Sequence, residues 1–249
     1  MPPTDADADE STPASSGEAT RTVREEQSLD PMRQTIADRL QESYRNAVHV
    51  TVRRGVDAEA LVSATETAAD RLDVDVSVLD LTLCALSETL TDHPGFNATF
   101  EDGTHRLYEE QNVGVAVDID AGLVTPVLAD IGAKSLADLA TERRQITEAV
   151  RTGEYTMGDL RGGTFTVTNL GTLGVDSFTP VINPPEIAIL GVNRIRERAR
   201  PGESGVEFRR QLSFDLSFDH RVVDGADAAR FLATLADHVT DADAFVPEE

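Results

Sequence analysis

Lysine is almost missing from this 249-residue chain: Lys134 is the only one, and every other basic residue is arginine. Cysteine is as scarce, with Cys84 alone, and tryptophan is absent. A single cysteine excludes an internal disulfide and a cysteine metal cluster. No apolar run is long enough to span a membrane, and no stretch has the make-up of a signal peptide, so a soluble, cytoplasmic protein is expected. Few bases and many acids leave a net charge of −23, spread along the chain. Nucleic-acid binding is disfavoured, because phosphate contact needs basic patches. A carboxylate-rich surface with almost no lysine is the composition of a halophilic protein, whose self-repulsion concentrated salt would screen.

What is present suffices for a large core, since 40% of the residues are hydrophobic. Residues 1–28 hold acids, Ser, Thr, Ala and Pro with almost no large apolar side chain, so they are expected to be a disordered acidic segment. Residues 29–249 are expected to form one compact domain. Met32, Ile36, Leu40 and Tyr44 recur at helical spacing after Asp30, a cap, and Pro31, suited to the first helical position. A strand over 48–56 follows, then helices over 58–72 and 76–90, the second apolar enough to be deeply buried. Strands are expected at 96–100, 112–119 and 122–131, the last two as a hairpin, and a helix at 135–153 ending on Gly153. Strands at 162–171 and 187–195, a polar loop, a long strand into His220 and a helix from Ala226 to Val239 complete the chain. Its inward residues are read as Ala229, Leu232, Leu235, Ala236 and Val239. The mixture gives an α+β (mixed α/β) fold.

Within SFDLSFDHRVVDG (213–225), Leu212, Phe214, Leu216 and Phe218 alternate with Ser213, Asp215, Ser217 and Asp219. This is the period of a half-buried strand. His220 is in phase with the apolar side and should be shielded from water. A shielded imidazole followed by Asp224 and Gly225 could be a general base, while the bland alternative is a strand-end histidine and a helix-capping acid. Spacing alone leaves both open. The remaining histidines (49, 93, 105, 238) lack metal-site spacing, so no metal is expected. A P-loop and a Gly-x-Ser-x-Gly elbow are absent. In TFTVTNLG, Thr164, Thr166 and Thr168 share one strand face. Thr168 could donate to a developing oxyanion, or merely sit on a solvated sheet face.

Together, MRQTIADRL (32–40), NVGVAVDIDAGLVTPVLADI (112–131), GGTFTVTNLGTLGVDSFTPVINPPEIAILGV (162–192) and LSFDHRVVDGADAARFL (216–232) resemble the catalytic domain of the 2-oxoacid dehydrogenase E2 components, the dihydrolipoamide acyltransferases. The resemblance implies a chloramphenicol acetyltransferase-like fold, homotrimers with the active site between subunits, and in many members larger hollow cages. It implies acyl transfer between coenzyme A, a substrate here, and the thiol of dihydrolipoamide. It puts His220 at the general-base position, Thr168 at that of the hydroxyl stabilising the tetrahedral intermediate, and Asp224 at that of a structural acid. The NPPE stretch (183–186) matches the family's interface region.

Lys134 lies inside the catalytic domain and only the short acidic segment precedes Pro31, so the lipoyl group is expected from another protein, alongside 2-oxoacid dehydrogenase subunits as partners. A catalytically idle assembly subunit is the competing expectation. Val48 stands where the family usually has proline before the first-strand histidine, and His49 is read as a strand residue near an interface. Arg221 is read as an outward strand-end charge.

Overall fold

Asp30 caps the first helix as its sequence position foretells: its carboxylate accepts the Arg33 N–H at 2.8 Å, and Pro31 opens α1 (Pro31–Asn46). The computed structural model describes residues 21–119, 122–202 and 205–248, so most of the 1–28 segment lies outside the described residues. After α1 come β1 (His49–Asp57), α2 (Glu59–Arg71) and α3 (Val78–Asp92). A capping box starts α3, with the Ser77 N–H donating to Asp80 Oδ2 at 2.8 Å. Then follow β2 (Ala98–Glu101), β3 (Thr104–Leu107), β4 (Val113–Val115), β5 (Val117–Ile119), β6 (Gly122–Val124) and β7 (Val127–Leu128). The C-terminal half holds α4 (Leu136–Thr152), β8 (Phe165–Asn169), β9 (Ala188–Val192), β10 (Arg196–Gly202), β11 (Gly205–Asp219) and α5 (Gly225–Thr240).

One mixed sheet runs β1-β11-β9-β8-β4-β7, with β10 paired to β11. The β4–β8 and β8–β9 pairs are parallel, and the others antiparallel. Register sorts its faces. Phe214↔Val192, Leu216↔Leu190 and Phe218↔Ala188 lie on one side, against the core built with α2, α3 and α5. Phe231 of α5 touches the rings of His93, Phe96 and Phe165 there, with centroids 4.6 to 5.9 Å away. Asp80, fully buried on α3, binds Arg143 of α4 (Nη2 to Oδ2 3.0 Å), tying the two helices together. Lys134, ahead of α4, is held by Glu142 at 3.0 Å.

Several expectations change in detail. The stretch 112–131 is four short strands, because Ala116 and Pro126 interrupt the ladder; the hairpin survives as the β5–β6 pair. The expected polar loop after β9 is β10, which pairs with the start of β11 as an exposed ribbon from Arg196↔Gln211 to Gly202↔Gly205. Charge conceals it: a ribbon exposed on both faces has no apolar alternation to read. The strand β3 was hidden for the same reason, with its residues mostly exposed. On α5 the inward residue is Ala228, and Ala229 faces solvent. Cys84 is the partly buried core residue expected, with burial pushing its thiol up to about 12.

Replacing Phe231 by Ala removes the ring at the centre of this aromatic cluster, and should cost about 3–5 kcal/mol by equilibrium denaturation. A loss under about 1 kcal/mol would show that the cluster does not hold α5 to the sheet.

Candidate active site

The second sheet face is polar where the first is apolar. Along β11 it carries Asp215, Ser217 and Asp219, which register places beside Arg53, Thr51 and His49 of β1. All three β11 residues are buried, so β11 is covered on both faces and is not the half-buried strand expected. Each polar group is satisfied. Ser217 and Thr51 hydroxyls are 2.7 Å apart. Asp215 accepts from Arg53, from the Phe178 N–H at 2.9 Å and from Asn193 Nδ2 at 2.9 Å. Asp219 accepts from Arg221 Nε at 3.0 Å and Nη2 at 2.6 Å, and from the Val48 N–H at 3.2 Å. Burial pulls the Asp219 carboxyl upward, but the Arg221 guanidinium and the two backbone N–H donors outweigh it, so its pKa lies below the ordinary value.

Arg221 is therefore not a free outward charge. It grips Asp219 from two residues on and lies over the Phe100 ring, 4.8 Å from its centroid. This clamp fixes the turn that carries His220. The alternation Asp-x-Arg flanking the histidine was the available signal, and the sequence reading passed over it.

His220 leaves the sheet at the end of β11. Its phase with Phe218 is as expected, and the two rings are 5.7 Å apart. Its shielding is not: the side chain is 41% exposed, because the strand ends at Asp219 and no further element among the described residues covers the rim. Asp224 caps α5 in a reciprocal box with Asp227, its N–H donating to Asp227 Oδ2 at 3.4 Å. Its carboxylate is 3.8 Å from His220 Nδ1 and 80% exposed. Asp224 thus caps the helix and also faces the imidazole.

Thr168 sits elsewhere. The row Thr164, Thr166, Thr168 is buried, not solvated, because the segment after β8 folds back over it. The Thr164 hydroxyl donates to Asn97 Oδ1 at 2.5 Å and that of Thr166 to Glu186 Oε2 at 2.6 Å. Thr168 faces a cavity of about 680 Å³ between this sheet face and α1, lined also by Ile36, Leu40, Phe178 and Ile189. Register pairs Thr168 with Gly191 and Gly191 with Asp215. His220 lies five residues beyond Asp215 on the strand and two strands over, about 20 Å from Thr168 by strand rise and spacing. It is also in phase with the opposite face. One chain brings His220 and Asp224 together and keeps Thr168 apart from both.

His49 opens β1, with its Nε2 3.3 Å from Ser43 Oγ and 3.3 Å from the Ile182 nitrogen, and its ring stacks on Tyr44 at 4.8 Å. It is a linker between α1, β1 and the 182–186 loop.

Glu186 in that loop was not singled out by sequence. It is buried, accepts from Thr166 and from Asn183 Nδ2 at 3.0 Å, and faces Arg39. Burial raises its carboxyl to about 7, against the partial opposition of the two hydrogen bonds and Arg39. A raised folded-state value means its contribution to stability is complete below the unfolded value of 4.5 and is lost as pH rises through about 7. Glu186→Gln cannot ionise, so its Tm relative to wild type should climb between about pH 5 and about pH 8. A difference that stays constant over that range would show that the buried carboxyl does not titrate there.

Comparison with known proteins agrees with this architecture. The model of the family "2-oxoacid dehydrogenases acyltransferase (catalytic domain)" matches residues 22–246. The dihydrolipoyllysine-residue acetyltransferase component of the Mycobacterium tuberculosis pyruvate dehydrogenase complex is 34% identical over 220 residues, 84% of this chain and 40% of that protein. The succinyltransferase component of the 2-oxoglutarate dehydrogenase complex of Bartonella vinsonii is 34% identical over 230 residues, 90% of this chain and 56% of that one. The chain thus spans about half the length, or less, of these curated relatives.

Among solved structures, the dihydrolipoamide acetyltransferase of Azotobacter vinelandii, whose catalytic mechanism has been probed at a serine, a histidine and an asparagine, superposes with a TM-score of 0.83 at 32% identity, covering 99% of this chain and 100% of that one. The cubic core of a pyruvate dehydrogenase multienzyme complex gives 0.83 at 33% identity, with the same coverage. Chloramphenicol acetyltransferase, at 13% identity and a TM-score of 0.54 over 88% of this chain and 99% of that one, shares the fold alone. Matched by this family model over most of its length and 34% identical to these relatives, the chain belongs to the family of 2-oxoacid dehydrogenase acyltransferase catalytic domains.

Proposed function

We propose that this chain transfers an acyl group between coenzyme A and a dihydrolipoamide-type thiol, at a site built from two copies. One spacing carries the reading. In the Azotobacter vinelandii enzyme the probed serine precedes the histidine by 52 residues and the asparagine follows it by 4; here Thr168 precedes His220 by 52 and Asp224 follows it by 4. Within one chain Thr168 and His220 are on opposite faces of the sheet, so a shared substrate atom requires His220 of one copy beside Thr168 of another. The exposure of His220 in the single chain and the open cavity at Thr168 support the same arrangement.

The chemistry needs no enzyme nucleophile. The imidazole of His220 removes the S–H proton of the acceptor, since the thiolate is the reactive form. The sulfur adds to the thioester carbonyl, and the electron pair of the C=O bond moves onto oxygen. The Thr168 hydroxyl donates to that oxyanion. Collapse reforms the carbonyl and breaks the other C–S bond, and the departing thiolate takes the proton from the imidazolium. Asp224 acts on geometry: it caps α5 and faces Nδ1, which sets the turn and ring from which His220 works. The lipoyl thiol would arrive on a swinging arm, with 2-oxoacid dehydrogenase subunits as the upstream partners.

His220→Ala should lower turnover between acetyl-CoA and dihydrolipoamide by at least about a hundredfold with Tm unchanged. An unchanged rate removes the catalytic assignment. Wild-type turnover no faster than the uncatalysed exchange leaves assembly as the chain's role. Light scattering in molar salt, where the charge of −23 is screened, should give a trimer or a multiple of one. A monomer under those conditions contradicts the two-copy site.

A further inference from the structure

The relatives at 34% identity include both an acetyltransferase and a succinyltransferase, so kinship does not say which acyl group is carried. The surroundings of Thr168 do. Its neighbour across the ladder, Gly191, has no side chain, and a Cβ there would lie 2.8 Å from the Phe178 ring. The ring therefore occupies the space above Gly191, at the side of Thr168, and both Phe178 and Thr168 line the same cavity. The ring is already packed onto the sheet, with two of its carbons within 3.0 Å of where a Gly191 Cβ would stand. Nor is its backbone free, since the Phe178 N–H is bound to the buried Asp215 carboxylate, itself held by Arg53 and Asn193.

Charge restricts the site as well. Among the described residues of this chain, Arg39 is the one charged side chain lining the cavity, and its Nη2 already donates to the Pro184 carbonyl at 3.1 Å. A carboxylate at the end of an acyl chain would lose its hydration here, and this chain's half of the site offers it no uncommitted cation.

Resting on the acyltransfer reading above, we infer that Phe178 is the specificity-determining residue of this chain and that the group carried is small and uncharged, of acetyl size. Held beside Thr168, the ring narrows the part of the cavity next to the acyl carbonyl, which favours an acetyl over a branched acyl group.

The test measures kcat/KM for acetyl-, isobutyryl- and succinyl-CoA with dihydrolipoamide in molar salt, for wild type, Phe178→Leu and Phe178→Ala. Wild type should prefer acetyl over isobutyryl by about tenfold or more, which is the discrimination a steric pocket wall supplies, and should use succinyl poorly. Phe178→Ala should collapse the acetyl-to-isobutyryl preference by about tenfold, with Phe178→Leu between. Should the Ala variant fail to fold, Phe178→Leu alone must still shift the preference toward isobutyryl. Unchanged selectivity in a folded variant, or wild-type preference for isobutyryl or succinyl, overturns the inference and leaves acyl transfer standing. Turnover with none of the three thioesters overturns both.

Discussion

The end of β11, from Phe214 to Asp219, is covered on both faces, and its polar row must be neutralised where it lies. Unpaired carboxylates at the centre of a sheet would cost several kcal/mol each. Asp215 and Asp219 are instead held by Arg53 and Arg221, and the same carboxylates accept from backbone N–H groups of neighbouring segments, Phe178 in one case and Val48 in the other. The pairs thus do more than satisfy charge. Asp215 fastens the loop that roofs Thr168 to the sheet, and Asp219 fastens the turn that presents His220. The two halves of the candidate site hang from one strand.

That strand also keeps them apart. Thr168 is reached through Gly191 and Asp215 in mid-sheet, and His220 stands at the rim in phase with the other face. A rigid sheet is a good way to hold two groups at a fixed separation and a poor way to bring them together. On the proposed reading these are two complementary half-sites, an exposed imidazole and a hydroxyl at a cavity, each completed by another copy. Catalysis would then depend on assembly, and for a chain of charge −23 assembly would depend on counterions.

Much of this was legible in the residues. Caps and periodicity gave α1, α3, α4 and α5, and alternation put His220 on the correct side of β11. The misreadings share a cause: they concern burial by distant segments. A solvated face stayed open as an alternative for Thr168 because the cover comes from residues 176–183, whose position depends on the Asp215 bond to Phe178. Asp219 and Arg221 read as surface charges because their pairing is invisible without the turn. Glu186 stood out only as the end of the NPPE stretch, and nothing in the sequence marked it as buried, since a glutamate in a proline-rich loop is ordinarily exposed. Motif resemblance names Thr168 and His220 together and implies a site between subunits, and the register places the two on opposite faces of one chain's sheet.

The scarcity of lysine has a chemical side beyond solubility. Thioesters acylate free amines without an enzyme's help, and a protein that handles them is exposed to its own substrates. Guanidinium groups, always protonated, do not compete as nucleophiles. With Arg at every other basic position, the side chains offer stray thioesters a single ε-amine, and Glu142 holds that one, on Lys134, in an ion pair. So low a lysine content would leave a protein that transfers acyl groups with almost no side-chain amine of its own to acylate.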